Sequence, residues 1–296
     1  MRQILTAHRA TEEADGVDSI EAQVTARKEA VALRAKIRSG SFADQTAGAA
    51  PNCVQGNLVI LPAALANDFH RFCEANPKPC PLLAVSRPGN PALPSLAEDF
   101  DLRTDVPLYR VYRHGELARE VTDISDLWQD DFVGFVLGCS YSFEEALLQD
   151  GIPLRHIELG MGVPMFVSNI ETVHAGPFGG PTVVSMRPMT PENARRAAQV
   201  TARFERAHGE PLHIGDAEKI GVSDLMATDF GEAIPIAEGE IPVFWACGVT
   251  SQMAIKRARP EICITHAPGF MVISDIAASE LAAGRGPEIS SAPRSN

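Results

Sequence analysis

No stretch of the chain approaches the roughly 20 consecutive apolar residues that a membrane-spanning helix requires. The opening residues Met1-Arg2-Gln3-Ile4-Leu5 run into polar and acidic ones, which predicts no signal peptide. Basic charge is scarce. Against 38 Asp and Glu there are 26 Lys and Arg, a formal net charge of −12, where a phosphate-backbone binder needs a clustered cationic excess. Cysteine is present but unorganised: Cys53, Cys73, Cys80, Cys139, Cys247 and Cys263 form no CxxC pair. That pattern predicts reduced thiols in a cytoplasm and no structural zinc site. There is no HExxH, and the glycine-rich run at 176–181 lacks both GxGxxG and a Walker lysine. Metal and nucleotide cofactors are therefore not expected, nor are nucleic-acid or membrane partners.

What is present is the composition of a globular protein. The 296 residues are 45% hydrophobic and 22% charged, enough to bury a substantial core. A homodimer is the expected assembly on the frequency of twofold oligomers alone.

Helical spacing predicts a first helix over residues 20–38, with Asp18 and Glu21 at capping-box spacing and a solvated basic face of Arg27, Lys28, Arg34, Lys36 and Arg38. The run NLVILP at 57–62 reads as a buried strand, 63–75 as a helix and 81–86 as a second strand. Residues 107–121 alternate around His114-Gly115 as a hairpin, and 124–137 carry helical spacing. Gly138-Cys139-Ser140 interrupts that pattern before a helix that ends at Gly151.

Strands are predicted at 156–170 and 182–186, then an amphipathic helix over 191–208 with proline in its first turn. Beyond it lie a hairpin of 233–237 with 241–246, a helix at 250–259, and strands at 262–265 and 270–274. The order predicts a layered α/β main domain, residues 20–151 plus 213–280, with a smaller α+β domain inserted at 152–212. The termini, 1–17 and 284–296, are expected to be loose.

Four short segments carry candidate chemistry. In Phe244–Gln252 an apolar strand ends at Cys247 and Gly248, and a helix starts at Thr250 or Ser251. Free N–H groups and the positive helix end would then face the strand tip, suited to a carboxylate, and would lower the pKa of Cys247. Gly138–Glu145 repeats the theme with Cys139 and Ser140 facing a ligand and Ser142 as cap.

Thr265-His266-Ala267-Pro268-Gly269 offers His266 as a general base, with Asp275 downstream as its partner or as a cap. Val184–Pro188 places Arg187 at a strand end, where its fork suits a carboxylate. His213 and Asp216 form a further His/Asp pair near a turn. Each segment also has a plainer reading: a buried cysteine, a cap, a structural histidine or a surface salt bridge.

Together and in this order the segments resemble the bacterial hydro-lyase family related to D-glutamate cyclase. The matching stretches are Gln55–Pro62, Asn76-Pro77 with Cys80-Pro81-Leu82, Thr104–Pro107, Gly138–Glu144, Val183–Pro188, His208 with His213–Asp216, Pro242–Gln252 and Thr265–Gly269. Gly162, Ser168, Ser251 and Tyr141 depart from the family pattern, where Asn, Thr, Pro and Phe are usual.

The resemblance implies a three-layer α/β/α domain with a mixed sheet and a smaller inserted two-layer α+β domain. It also implies a carbon-oxygen lyase that removes water, as in D-glutamate to 5-oxo-D-proline. The substrate expected is a small amino or hydroxy acid, its carboxylate on Gly248, Thr250 and Ser251 and clamped by Arg187. His266 or Asp216 would be the base, and Glu144 or Asp275 the acid. Two other functions fit the same residues: a cofactor-independent amino-acid racemase using Cys139 and Cys247, and a small-acid binding protein without turnover.

Overall fold

The computed structural model describes residues 23–285 and residue 287. At its centre lies β1 (Cys53–Pro62), buried along almost its whole length. Successive side chains of a strand point to opposite faces, so β1 feeds two cores. Leu58 and Ile60 join Phe143 and Trp245, while Val59 and Leu61 join Phe69 and Phe72 of the helix α2 (Ala63–Ala75). A strand covered on both faces reads as an unbroken apolar run, which is what NLVILP shows.

The larger sheet runs in the order β2 (Leu82–Val85), β5 (Phe132–Gly138), β1, β10 (Ile262–His266), β3 (Tyr109–Arg113), β4 (Glu116–Val121). A further strand, β11 (Val272–Ala277), shares one edge of β1 with β10. It pairs at Cys53, Gln55 and Gly56, whereas β10 pairs at Val59 and Ile60. The change of partner falls at Asn57 and Leu58, and the site forms there. The smaller sheet runs β6 (Met165–Glu171), β7 (Pro181–Met189), β9 (Ile241–Ala246), β8 (His213–Ile214).

The α/β class is as expected, with two sheets. The expected mixed sheet is corrected: among the described residues every strand pairing is antiparallel. The crossover from β1 through α2 does send β2 in the direction of β1. However, β5 lies between them, antiparallel to both.

Three element assignments also differ. Residues 132–138 are the strand β5, not a helix, and a 3-10 turn at Ser125–Leu127 precedes them. A short apolar run buried on both faces carries no usable period, so Phe132 and Phe135 imitated helical spacing. Residues Arg155–Leu159 are a short helix, α4, ended by Gly160 at φ +64°, before β6 begins. Residues 233–237 form no strand: Pro235 has no N–H to offer, and the Ala237 N–H donates to Glu240 at 2.8 Å. β9 pairs instead with β7 and β8.

Residues 23–38 are helical (α1), and the proposed cap at Asp18 and Glu21 lies outside the described residues. The basic face of α1 is not all solvated. Arg34 is fully buried, donating to Asp275 at 2.6 Å, Asp99 at 3.0 Å and the Ile273 carbonyl at 3.2 Å. Arg38 forks onto Asp105 with two bonds of 2.5 Å. Ala26, Ala30, Leu33 and Ile37 pack the apolar stripe of α1 against Cys53 and Ile273.

Candidate active site

Two strand-to-helix turns of the same build face each other across one cavity. β5 leads through Gly138-Cys139-Ser140 into α3 (Tyr141–Gln149), and β9 leads through Cys247-Gly248 into α6 (Val249–Ala258). Both turns bring a glycine into close approach with a neighbour. A Cβ on Gly138 would stand 1.7 Å from the Arg206 carbonyl oxygen, and one on Gly248 would stand 2.5 Å from Asn57 Nδ2. The cavity has a volume of about 760 Å³, and its polar lining includes Asn57, Cys139, Ser140, Ser185, Cys247 and His266.

The thiols are held in their neutral form. Burial pushes Cys139 up to about 12, against an opposing bond from the Tyr141 N–H. Burial likewise pushes Cys247 up to about 11, although the Val249 and Gly248 N–H groups pull the other way. The expected lowering of the Cys247 pKa is therefore corrected: the helix-end amides reach the sulfur, but desolvation outweighs them. Cys247 Sγ also sits 3.4 Å from Met165 Sδ, a soft contact that supplies no charge.

Arg187 does not project into the cavity as a clamp. It is buried beneath the wall, and its guanidinium binds Glu144 through Nε and Nη2. The rings of Phe143 and Trp245 flank it at 5.5 and 5.3 Å. Burial alone would raise the pKa of Glu144, yet Arg187 and His156 hold it below the usual carboxylate value. A carboxylate so held is a poor proton donor, and it does not line the cavity; this corrects its assignment as general acid.

Two further donors of Arg187 go to two cavity serines. Nη2 reaches Ser140 Oγ at 3.1 Å and Nη1 reaches Ser185 Oγ at 3.2 Å. Each serine oxygen thus accepts from the guanidinium, which leaves its own O–H free to donate elsewhere.

His266, at the end of β10, is buried and lines the cavity. With the proton on Nδ1, the ring donates to the Ala267 carbonyl at 2.9 Å, and the Nε2 lone pair accepts from the Gln252 amide nitrogen at 3.3 Å. Asn57 Oδ1 lies 3.2 Å from the same ring nitrogen. Burial lowers the pKa of His266 to about 4, so the ring is neutral near pH 7. If Nε2 takes a proton, Asn57 Oδ1 is already placed to accept from it. Asn57 is in turn fixed by its Nδ2, which donates to the Gly138 carbonyl at 2.9 Å.

Other expected site residues lie elsewhere. Asp275 is taken by Arg34 and does not line the cavity. Asp216 is exposed, with its side chain 3.7 Å from Lys219, and His213 binds the Asp216 backbone oxygen at 2.7 Å. Neither lines the cavity, because both belong to the β8 edge of the smaller sheet. Thr250 Oγ1 accepts from the Val183 N–H at 2.9 Å, and Ser251 donates to the Gly248 carbonyl at 2.7 Å, so both hydroxyls brace the turn.

The structure adds Asn57, Ser185, Gln252 and Tyr141 to the lining. Asn57 had a visible signal, being the one polar residue in NLVILP. Ser185 had a weaker one, a hydroxyl inside the apolar strand β7.

Residues 133–275 match the family model described as D-glutamate cyclase. A Bordetella petrii protein named "Putative hydro-lyase" is 57% identical over 249 residues, covering 84% of this chain and 94% of that one. A namesake from Verminephrobacter eiseniae is 59% identical over 243 residues, covering 82% and 89%. One from Bordetella pertussis is 58% identical over 250 residues, covering 84% and 90%. A solved nitrogen repressor-like protein from Methanococcus jannaschii aligns over 79% of this chain and 90% of that one, with TM-score 0.36 and 11% identity. That last likeness is too slight to bear on fold or function.

Proposed function

Because the chain belongs to the D-glutamate cyclase family, whose curated bacterial relatives are named as hydro-lyases, we propose that it removes water from a small amino or hydroxy acid held between the two cysteine turns. The observation that carries this reading is the neutral His266 Nε2 sharing one cavity with the Ser140 and Ser185 hydroxyls.

D-Glutamate to 5-oxo-D-proline is the first reaction to test. In it the amine nitrogen attacks the distal carboxyl carbon, a C–N bond forms and a C–O bond breaks. The nitrogen sheds two protons, and both leave on the departing oxygen as water. His266 Nε2 is the relay: it takes a proton from nitrogen, is held by Asn57 while charged, and returns the proton to oxygen. Ser140 and Ser185 donate to the oxygen that gains negative charge during attack. The thiols of Cys139 and Cys247 line the site as uncharged groups.

The test is proton NMR of the protein with D-glutamate in deuterated buffer. Formation of 5-oxoproline with the Cα hydrogen retained is expected, and His266→Gln is expected to slow it about 10²–10⁴-fold. Full activity in that variant would overturn the role of His266.

A second reading rests on a separate observation, the presence of both thiols in one cavity. A two-cysteine racemase would exchange Cα hydrogen for deuterium without closing a ring, and Cys139→Ser would abolish that exchange. The cost of ionising either buried thiol weighs against it. Binding of the acid with neither reaction would mark a binding protein.

A further inference from the structure

Cyclisation by this route leaves one charged group of the substrate without a partner. The reacting carboxyl meets Ser140 and Ser185 and the amine meets His266, so the second carboxylate, on the carbon that bears the amine, lies beside His266. Thr250 and Ser251 offer it nothing, since both hydroxyls brace their turn, and Glu144 closes off Arg187.

The face of α6 that lines the cavity does offer something. Gln252 comes first, its amide nitrogen 3.3 Å from His266 Nε2. Lys256 follows one helical turn later on the same face, about 6 Å along the axis, and it too lines the cavity. Side chains of a helix lean back toward its N-terminus, so the four-carbon stem of Lys256 can carry its ammonium over Gln252.

The charge on Lys256 is uncommitted. Of Arg110 and Lys256, the two cations in the lining, only Lys256 lacks an acid partner among the described residues. Arg110 donates from Nε to Glu120 at 2.7 Å. Two acids share the lining without pairing to Lys256: Asp229, which accepts from the Val167 N–H at 2.7 Å, and Glu116 of the β3–β4 hairpin.

We propose that Lys256 is a specificity-determining residue: its ammonium binds the carboxylate that does not react, so the site selects acids that carry a second carboxylate. This rests on the reading of the cavity as the site of a carboxylic-acid hydro-lyase, and adds to it the group that chooses among such acids.

Isothermal titration of the whole chain with glutarate, pentanoate and 5-aminopentanoate tests it without turnover. The three acids differ at the fifth carbon, which is a carboxylate, a methyl or an aminomethyl group. Glutarate is expected to bind about tenfold more tightly than pentanoate, and 5-aminopentanoate more weakly than either. Lys256→Gln is expected to erase the glutarate advantage and leave pentanoate binding unchanged, while Lys256→Arg keeps most of it. Lys256→Glu is expected to put 5-aminopentanoate ahead of glutarate. Arg257→Gln, which removes the neighbouring charge outside the lining, is expected to change none of these affinities. A glutarate preference as strong in Lys256→Gln as in wild type would overturn the proposal, as would an equal loss in Arg257→Gln. Pentanoate binding wild type as tightly as glutarate would overturn it too, and would leave the reacting carboxyl's position standing. If none of the three acids binds, Lys256 and the carboxylate reading of the cavity fall together.

Discussion

Arg187 Nη2 lies 3.1 Å from Ser140 Oγ while Glu144 holds the same guanidinium, so a buried ion pair sets the hydroxyl that faces the cavity. On the proposed reading the cation acts on a ligand through two serines, not by direct contact. Arg187→Lys keeps a charge but loses the fork that serves Glu144, Ser140 and Ser185 together. It is expected to raise KM for the carboxylate substrate at least tenfold. Glu144→Gln leaves the buried guanidinium uncompensated and is expected to cost about 3–5 kcal/mol in stability. Chemical denaturation checks the second effect and steady-state kinetics the first. Wild-type KM in Arg187→Lys would separate the guanidinium from the serines.

Two of the buried histidines, His208 and His266, predict how stability responds to acid. Burial lowers His266 and His208 to about 4 each, below the ordinary histidine value. Above about pH 7.5 both are neutral, folded or unfolded, and neither affects stability. As pH falls from about 6.5 toward 4 the unfolded chain binds protons that the folded chain refuses, and stability drops. Each histidine contributes a loss on the order of 3 kcal/mol across that window. His208→Gln is expected to remove roughly half of the loss and to leave the acid limb of the rate profile near pH 4. His266→Gln is expected to remove that limb. A limb that stays in His266→Gln belongs to another group.

The thiols predict a labelling profile. Alkylating reagents attack the thiolate, and burial keeps Cys139 and Cys247 protonated to about 12 and about 11. Iodoacetamide labelling of either is expected to be slow at pH 7 and to rise about tenfold per pH unit through pH 9, without a plateau. Peptide mass spectrometry resolves the two sites. A plateau near neutral pH would mean that a helix end activates a thiolate after all, and would favour the racemase.

What could be read from the sequence follows from how local each signal is. The hairpin at His114-Gly115, the helix after Pro62 and the helix start at Pro191 are written within a few residues, and the structure has all three. The two cysteine turns were legible for the same reason: each strand, glycine and helix start is contiguous.

Their partners were not. Arg34 looks like any solvent-facing arginine on a basic helix until Asp275, distant in sequence, is brought against it. The same contact removes Asp275 from the site. Arg187 was read as facing a ligand because nothing in its own strand announces that Glu144 packs behind it. Asp216 and His213 looked catalytic through mutual proximity, yet the β8 edge carries them away from His266. Pairings between distant segments decide these cases, and a local pattern contains none of them.

The two glycines beside the cysteines should differ in how they fail. A Cβ on Gly138 would meet the Arg206 carbonyl at 1.7 Å, and backbone held by the core has no cheap way to retreat. Gly138→Ala is therefore expected to destabilise the fold by several kcal/mol, with a lower Tm and little soluble protein. A Cβ on Gly248 would meet Asn57 Nδ2 at 2.5 Å, and that atom is a side chain that can turn away. Turning breaks the bond from Nδ2 to the Gly138 carbonyl and moves Oδ1 from His266 Nε2. Gly248→Ala should accordingly fold with a Tm close to wild type, yet lose activity about as Asn57→Ala does. Combining it with Asn57→Ala should then add almost nothing, since the second change removes a contact already lost. Additive losses in the double variant would show that Gly248 acts on the site by a route other than Asn57.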